Sequence, residues 1–270
     1  MQSSYKHAII DIDKKIKCIK GANKKMTNIL TVKTNSNIIP MTSATVNQLH
    51  KAGFTRSQIV KMKHLSPHVP TQPIKSIDDI KKIKEYFLSQ PETYRNTNTN
   101  IRNYAIFTFG ININYRGSDL LNLKIKDVLN SDLTFKDECM TIESKTGKTK
   151  LFYLCDNVKE AITMYLNTRP NFSMNEYLFI SKKTNDKMTL RALNYALSKM
   201  SKEVGLSDHH RSSHMMRKTF AFQKYVAHKD DPYVLSTIQS VLNHSSERTT
   251  LKYLGIDNEV KRDLYLNDQL

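Results

Sequence analysis

Between residues 133 and 154 the apolar pattern of this chain changes its period. Short alternating runs, Cys139-Met140-Thr141-Ile142 and Lys150-Leu151-Phe152-Tyr153-Leu154, flank Lys145-Thr146-Gly147-Lys148. Alternation with a glycine in the intervening turn predicts two antiparallel strands. On either side of this stretch apolar residues recur every three or four positions instead, the spacing of helices with one buried face. Ile80, Ile83 and Phe87 follow Ser76 and Asp79, a capping-box-like start. Tyr104, Phe107 and Ile111 mark an inward face over about 100–113, Ala161, Ile162, Tyr165 and Leu166 one over 156–168, and Leu193, Leu197 and Met200 one that begins at Thr189. Such a chain is expected to be mainly α with a small antiparallel β-sheet, an α+β fold. Ser118 is placed to cap a helix just after Arg116, with its first amides directed at a bound phosphate.

The organisation follows from proline and charge. Ser66-Pro67-His68-Val69-Pro70-Thr71-Gln72-Pro73 has three prolines in eight residues, which predicts a linker over 67–73 between a region 1–66 and a larger domain 74–270 with a tail from 255. The formal charge is +17, and residues 1–70 carry twelve Lys or Arg against two Asp, a net of +10. A charge so concentrated predicts a polyanionic partner, because neutralising phosphates releases condensed counterions. In the basic region Ile9, Ile12, Ile16 and Ile19 suit a helix over 5–20, and a helix, a turn at Ala52-Gly53 and a second helix follow Thr42. That pattern fits a helix-turn-helix presenting Arg56, Lys61 and Lys63 to DNA, or a plain helical hairpin packed on the larger domain.

The three cysteines, Cys18, Cys139 and Cys155, have no metal-ligand spacing and are expected as reduced thiols. Mean hydropathy is −0.52, with no run near the roughly eighteen apolar residues of a membrane span and no secretory signal. A cytoplasmic, nucleoid-associated protein without a membrane partner is therefore expected. Neither a Gly-rich phosphate loop nor carboxylates clustered for paired Mg²⁺ ions are found.

The chemistry concentrates between His214 and Tyr253. Transfer of a phosphodiester requires cations on the non-bridging oxygens, an acceptor for the attacking proton and a nucleophile that can leave again. His214 and Arg217 are three apart, so one helix face can present both to one phosphate. His244 and Tyr253 are nine apart and must converge through a bend between two helices. Upstream, Arg116 offers a permanently charged planar fork suited to phosphate. Asp119, three residues on, can hold that fork or form a plain surface ion pair with it.

Arg116, Lys145, His214, Arg217, His244 and Tyr253, in this order, resemble the catalytic set of the tyrosine recombinases, the phage-integrase family. The resemblance covers roughly residues 74–255. Its strongest pieces are Tyr115-Arg116-Gly117-Ser118-Asp119-Leu120-Leu121, His214 to Arg217, and Leu242-Asn243-His244 with Lys252-Tyr253. Asn243 stands where the family usually has glycine, and an amide tolerates a left-handed backbone. The resemblance implies that Tyr253 attacks phosphorus and keeps the 3′-phosphate as an ester, Arg116 and Arg217 clamp the phosphate, and His214 handles the tyrosyl proton. It further implies that His244 donates to a phosphate oxygen and Lys145 protonates the leaving 5′ oxygen, with Lys148 as the rival. Lys148 and Arg211 are expected to touch DNA, and His209 and His210 at most its backbone.

The expected protein is a site-specific DNA recombinase of the integrase or excision type, working without metal or ATP. Its expected partners are double-stranded DNA with a specific recombination site, further copies of itself in a tetramer on that DNA, and an accessory DNA-bending protein. A supercoil-relaxing enzyme of the type IB topoisomerase kind and a catalytically silent DNA-binding regulator remain as alternatives.

Overall fold

The hydroxyl of Ser76 accepts from the backbone N–H of Asp79 at 3.2 Å, satisfying one of the amides that a helix start leaves without a partner. The helix it opens, α1 (Ile77–Ser89), buries Ile80, Ile83 and Phe87. The computed structural model describes residues 70–90, 97–144 and 147–256, with isolated positions 50, 51, 53, 55 and 266. The chain divides into two units, Met1–Val69 and Pro70–Leu270, and every labelled element belongs to the second. In the first, Gly53 has a φ of +87° and donates to the His50 carbonyl at 3.0 Å, which makes the turn expected at Ala52-Gly53. The helix expected over 5–20, and Arg56, Lys61 and Lys63, lie outside the described residues.

Helix α2 (Thr97–Asn112) runs through the main core. Ala105, Ile106, Phe107 and Phe109 are fully buried, and Arg102 and Asn103 are buried with them, so this helix is enclosed on all sides instead of showing one inward face. Arg102 is satisfied inside: Nη1 donates to the Ile180 carbonyl at 2.8 Å and Nη2 to Asn103 Oδ1 at 3.1 Å. Helix α4 (Asp156–Asn167) packs along α2 through Val158, Ile162 and Tyr165. Burying each large apolar side chain of this kind contributes about 1.5–3 kcal/mol.

After α2 the chain bends through Ile113 to Tyr115 into the short helix α3 (Gly117–Asn122), with Arg116 at its N-cap. Ser118 is not the cap. The Leu120 N–H bonds to the Arg116 carbonyl at 2.9 Å, so the first turn already includes Gly117, and Ser118 lies exposed within the helix. Strands β1 (Cys139–Ile142) and β2 (Thr149–Phe152) pair antiparallel, with Cys139 opposite Phe152 and Thr141 opposite Lys150. Cys139, Glu143, Phe152 and Leu154 face the core, whereas Met140, Ile142, Leu151 and Tyr153 are exposed. Cys139 and Cys155 are free thiols.

Thr189 caps α5 (Leu190–Glu203), which buries Leu193, Leu197 and Met200. Three helices complete the fold: α6 (His214–Ala227), α7 (Val234–Leu242) and α8 (Glu247–Leu254). Met215 and Met216 at the start of α6 belong to the main core. Ala221 and Phe222, one turn on, belong to a second cluster with Val234, Ile238, Leu242, Leu254 and Ile256. Helix α6 thus joins the two clusters, and His214 and Arg217 lie where they meet.

The segment before α1 is tied to this body. Gln72 donates its N–H to the His209 carbonyl at 3.1 Å, and the Ile74 N–H donates to Thr219 Oγ1 at 2.9 Å. The ring nitrogens of His209 and His210 lie 2.8 Å and 3.1 Å from the carbonyls of Pro70 and Pro73. These imidazoles, expected at most as DNA-backbone contacts, each set one ring nitrogen against the chain ahead of α1. Among the described residues no helix is long and apolar enough to cross a membrane. Of the tail expected from 255, residues 257–265 and 267–270 lie outside the described residues, and Leu266 is exposed.

Candidate active site

Asn243 ends α7 in the left-handed conformation, with φ 61° and ψ 41°, a region that asparagine enters more readily than most residues. The turn is fixed on both sides: the His244 N–H donates to the Gln239 carbonyl at 3.0 Å, and Gln239 Nε2 donates to the His244 carbonyl at 3.2 Å. Ser246 then caps α8 by accepting from the Thr249 N–H at 3.3 Å. Two turns along α8, the ring of Tyr253 meets that of His244 edge-on at a centroid distance of 4.9 Å. From α6, the His214 ring also meets that of Tyr253, at a centroid distance of 5.2 Å and an angle of 86°. Lys218 Nζ lies 5.0 Å from the centroid of the Tyr253 ring.

The two arginines approach from different elements. Arg217 is 3% exposed, and its Nη2 donates to the Leu242 carbonyl at 2.9 Å, binding α6 to the end of α7. Its Nη1 and the hydroxyl of Tyr253 are buried and have no hydrogen-bond partner in the protein. The guanidinium lies beside the hydroxyl without the alignment of a true hydrogen bond. Arg116 Nη1 lies 2.9 Å from Glu143 Oε2 and 3.7 Å from Asp119 Oδ2. Buried Asp119 also accepts from the Ser144 N–H at 3.1 Å, which joins α3 to the hairpin. Glu143 Oε1 in turn lies 3.7 Å from Lys150 Nζ.

Burial and charge shape the protonation states. Burial pushes the Tyr253 phenol well above its ordinary pKa, and the charges of Arg217 and Arg116 pull it back only in part. His214 is exposed as a residue, yet partial burial, followed by Lys218, Arg217, Arg116 and His244, lowers its pKa to about 4. Burial and then Arg217 and Arg116 also lower His244, so both imidazoles are neutral near pH 7. Lys150 falls to about 8, chiefly through burial and then through Arg217, with Glu143 opposing. A neutral phenol beside two neutral imidazoles can pass its proton to one of them as it attacks, with the buried cations at hand for the charge that develops.

Of the residues expected from sequence, Arg116, His214, Arg217, His244 and Tyr253 come together, with Asp119 beneath Arg116. Lys145 lies outside the described residues. Lys148 is exposed in the turn just before β2. Arg211 is paired with Asp208 in the loop ahead of α6. Sequence reasoning missed Glu143, Lys150, Lys218 and Thr250. The first two are in phase with Cys139 and Phe152 of their strands, but the opposite face of the hairpin is the more apolar one, so no local signal marked them as inward. Among the described residues no cluster of three or more His, Cys, Asp or Glu could hold a metal ion.

A tyrosine beside two histidines and two arginines on a mainly helical body is an arrangement suited to phosphodiester transfer. Residues 78–259 match the model of the phage integrase family, and the chain belongs to that family, the tyrosine recombinases, whose members are DNA strand-transferring enzymes. It is 34% identical over 194 residues to the "Probable integrase/recombinase YoeC" of Bacillus subtilis (strain 168), spanning 72% of this chain and 94% of that protein. It is 29% identical over 164 residues to the tyrosine recombinase XerC of Caldanaerobacter subterraneus subsp. tengcongensis, spanning 60% of this chain and 43% of that relative, less than half its length. Among solved structures, the XerA recombinase is similar with a TM-score of 0.54 and 24% identity, over 83% of this chain and 73% of that one. The XerH site-specific recombinase, in a post-cleavage complex with palindromic difH substrate, gives a TM-score of 0.56 and 18% identity over 80% and 56%. These likenesses show the fold.

Proposed function

We propose that this protein is a site-specific DNA recombinase in which Tyr253 is the nucleophile. The observation that carries the reading is the pair of buried, unpartnered groups, the Tyr253 hydroxyl and Arg217 Nη1. Burying such groups without partners is costly, and a phosphate oxygen beside them would satisfy both. Tyr253 attacks phosphorus, its proton passes to His214, and the bond to the 5′ oxygen breaks, leaving a 3′-phosphotyrosyl ester and a free 5′-hydroxyl. Arg116 and Arg217 hold the non-bridging oxygens, where charge gathers in the transition state. Lys145 supplies the proton to the leaving oxygen, as the resemblance implies, and Asp119 steadies Arg116. Attack by a 5′-hydroxyl on the ester reverses the step, so resealing needs no ATP.

DNA is the partner that family membership and the basic composition support. Exchange between two duplexes cuts four strands, one tyrosine to each, which is the argument for a tetramer on the recombination site. Bending that site costs energy, which an accessory DNA-bending protein would lower. The relatives named above are recombinases and integrases, which favours recombination over supercoil relaxation.

The test uses the full chain and a nicked duplex carrying the sequence that the protein enriches from a random-sequence pool. A covalent adduct mapped by peptide sequencing to Tyr253, absent from Tyr253→Phe although that variant still binds the duplex, is the expected result. An adduct on another residue, or one that persists in Tyr253→Phe, overturns the assignment.

A further inference from the structure

A line of polar contacts joins the two arginines through residues that take no part in the reaction just proposed. It starts at Arg116 Nη1, 2.9 Å from Glu143 Oε2, and continues from Glu143 Oε1 to Lys150 Nζ at 3.7 Å. Lys150 donates to the main-chain carbonyl of Asn114, and the Asn114 side-chain amide donates to the carbonyl of Val241. The carbonyl of the next residue, Leu242, accepts from Arg217 Nη2 at 2.9 Å. Glu143 is 5% exposed and Asn114 3%, and the Lys150 side chain is 13% exposed, so the line runs inside the protein.

We propose that Glu143, Lys150 and Asn114 are positioning residues that hold the Arg116 and Arg217 guanidiniums in one frame around the phosphate, a reading that rests on the clamp role proposed for those arginines. A buried ion pair is weak evidence of stability, since an apolar pair of similar volume often serves the fold as well or better. Its placement here has a use that an apolar pair would lack. Two guanidiniums facing one phosphate repel each other before it arrives, and each needs a fixed anchor. Arg217 has the Leu242 carbonyl; Arg116, at the break between α2 and α3, has Glu143 as its nearer counter-charge, because Asp119 stands 3.7 Å away.

Lys150 completes the balance. Along this line Arg116, Arg217 and Lys150 are three cations set against the carboxylates of Asp119 and Glu143, so the carboxylates do not cancel the positive charge that a phosphodiester meets. Sharing Glu143 with Lys150 keeps that carboxylate from neutralising Arg116. The donation from Lys150 to Asn114 carries the same contact across to the end of α7, next to the anchor of Arg217. A shift at either arginine therefore loads the other through the three side chains between them and the backbone from Val241 to Leu242.

The experiment measures first-turnover cleavage of the nicked duplex at saturating protein, and duplex affinity separately, for the full chain. Glu143→Gln and Lys150→Met should each slow cleavage roughly 10- to 100-fold, the scale for a misplaced reacting group, with affinity nearly unchanged. Lys150→Arg, which keeps the charge and the donors, should recover most of the rate. On an Arg116→Ala background Glu143→Gln should cost little more, because it acts through that guanidinium and such effects are not additive. Wild-type cleavage by Glu143→Gln and Lys150→Met, or an equal loss from Glu143→Gln on the Arg116→Ala background, overturns the inference alone. Wild-type cleavage by Arg116→Ala itself overturns the clamp role and the inference with it. Should Glu143→Gln fail to fold, the contrast between Lys150→Met and Lys150→Arg decides.

Discussion

His244 Nδ1 lies 3.2 Å from the hydroxyl of Thr250, and that hydroxyl donates to the Ser246 carbonyl at 3.3 Å. A hydroxyl has one proton to give, so Thr250 accepts from Nδ1–H and the neutral ring keeps its lone pair on Nε2. In this tautomer His244 donates to a phosphate oxygen only after taking up a proton. Thr250 is fully buried, which fixes the ring as a wall would.

Thr250→Val keeps that shape and removes the acceptor. First-turnover cleavage of the nicked duplex should fall by roughly tenfold, the worth of about one hydrogen bond, with little change in melting temperature. Cleavage at the wild-type rate would mean that packing against Tyr253 and the Gln239 contacts alone orient the ring.

His214 offers a test by pH. Its pKa of about 4 in the free protein lies below the 6.5 of an ordinary imidazole, so the unfolded chain binds this proton more readily than the folded one. The stability that this group contributes is therefore present above about pH 6.5 and is lost as pH falls towards 4. A bound phosphate favours the imidazolium and should raise the value. Carbon-13 NMR of histidine-labelled protein, assigned with His214→Gln, should show a midpoint near 4 without DNA and a higher one with duplex bound to Tyr253→Phe. A free-protein midpoint at 6.5 or above would show that neither burial nor the neighbouring cations govern this ring.

Gly117 is where the two arms of the site touch. A Cβ there would lie 2.5 Å from Ser213 Oγ, 2.7 Å from Ser213 Cβ and 2.9 Å from Leu190 Cδ1. Gly117 adjoins Arg116 and Ser213 adjoins His214, so Gly117→Ala must move α3 away from α6. Thermal melting should report a loss of about 1–3 kcal/mol, and cleavage should fall more steeply than stability. Gly110→Ala meets chiefly the flexible thioether of Met216, with Sδ at 2.6 Å. Its effect on cleavage should be the smaller, and the reverse order would show that the contact between α3 and α6 does not set the site.

The identity of the acid can be read from the leaving group. Replacing the scissile 5′ oxygen by sulfur gives a thiolate with a pKa of about 8.5 by analogy with cysteine, which leaves with little help. Lys145→Ala should cleave that duplex almost as fast as the wild type while failing on the normal one. Arg116→Ala and Arg217→Ala should stay slow on both, because the non-bridging oxygens are unchanged. Lys148→Ala is the control; selective rescue in that variant would move the acid to Lys148.

The basic N-terminal region has a thermodynamic signature. Removing residues 1–65 should weaken duplex binding and flatten the slope of log affinity against log salt, because fewer counterions are released. A slope unchanged by the truncation would show that the region does not follow the DNA backbone.

Much of this protein was legible from local rules. The stripes at Ile80, Ile83 and Phe87 and at Leu193, Leu197 and Met200 become the buried faces of α1 and α5, because helical spacing acts within a few residues. Asn243 takes the left-handed turn that an amide allows, and it brings His244 round to Tyr253. The order and spacing of the polar residues from Arg116 to Tyr253 were enough to name a chemistry. The hairpin shows what was not legible. Period two states which residues share a face, never which face is buried. Met140, Ile142, Leu151 and Tyr153 form the more apolar face, yet they are exposed, while Glu143 and Lys150 go inward with Cys139 and Phe152. The choice was made by contacts far off in the chain: Phe152 packs against Phe109 and Tyr115 at 6.1 Å and 5.1 Å between ring centroids, and the charges it carries inward meet Arg116. In the same way His209 and His210 turned to the carbonyls of Pro70 and Pro73, partners 139 and 137 residues away, because a hydrogen bond needs proximity in space and no sequence pattern encodes it at such separations.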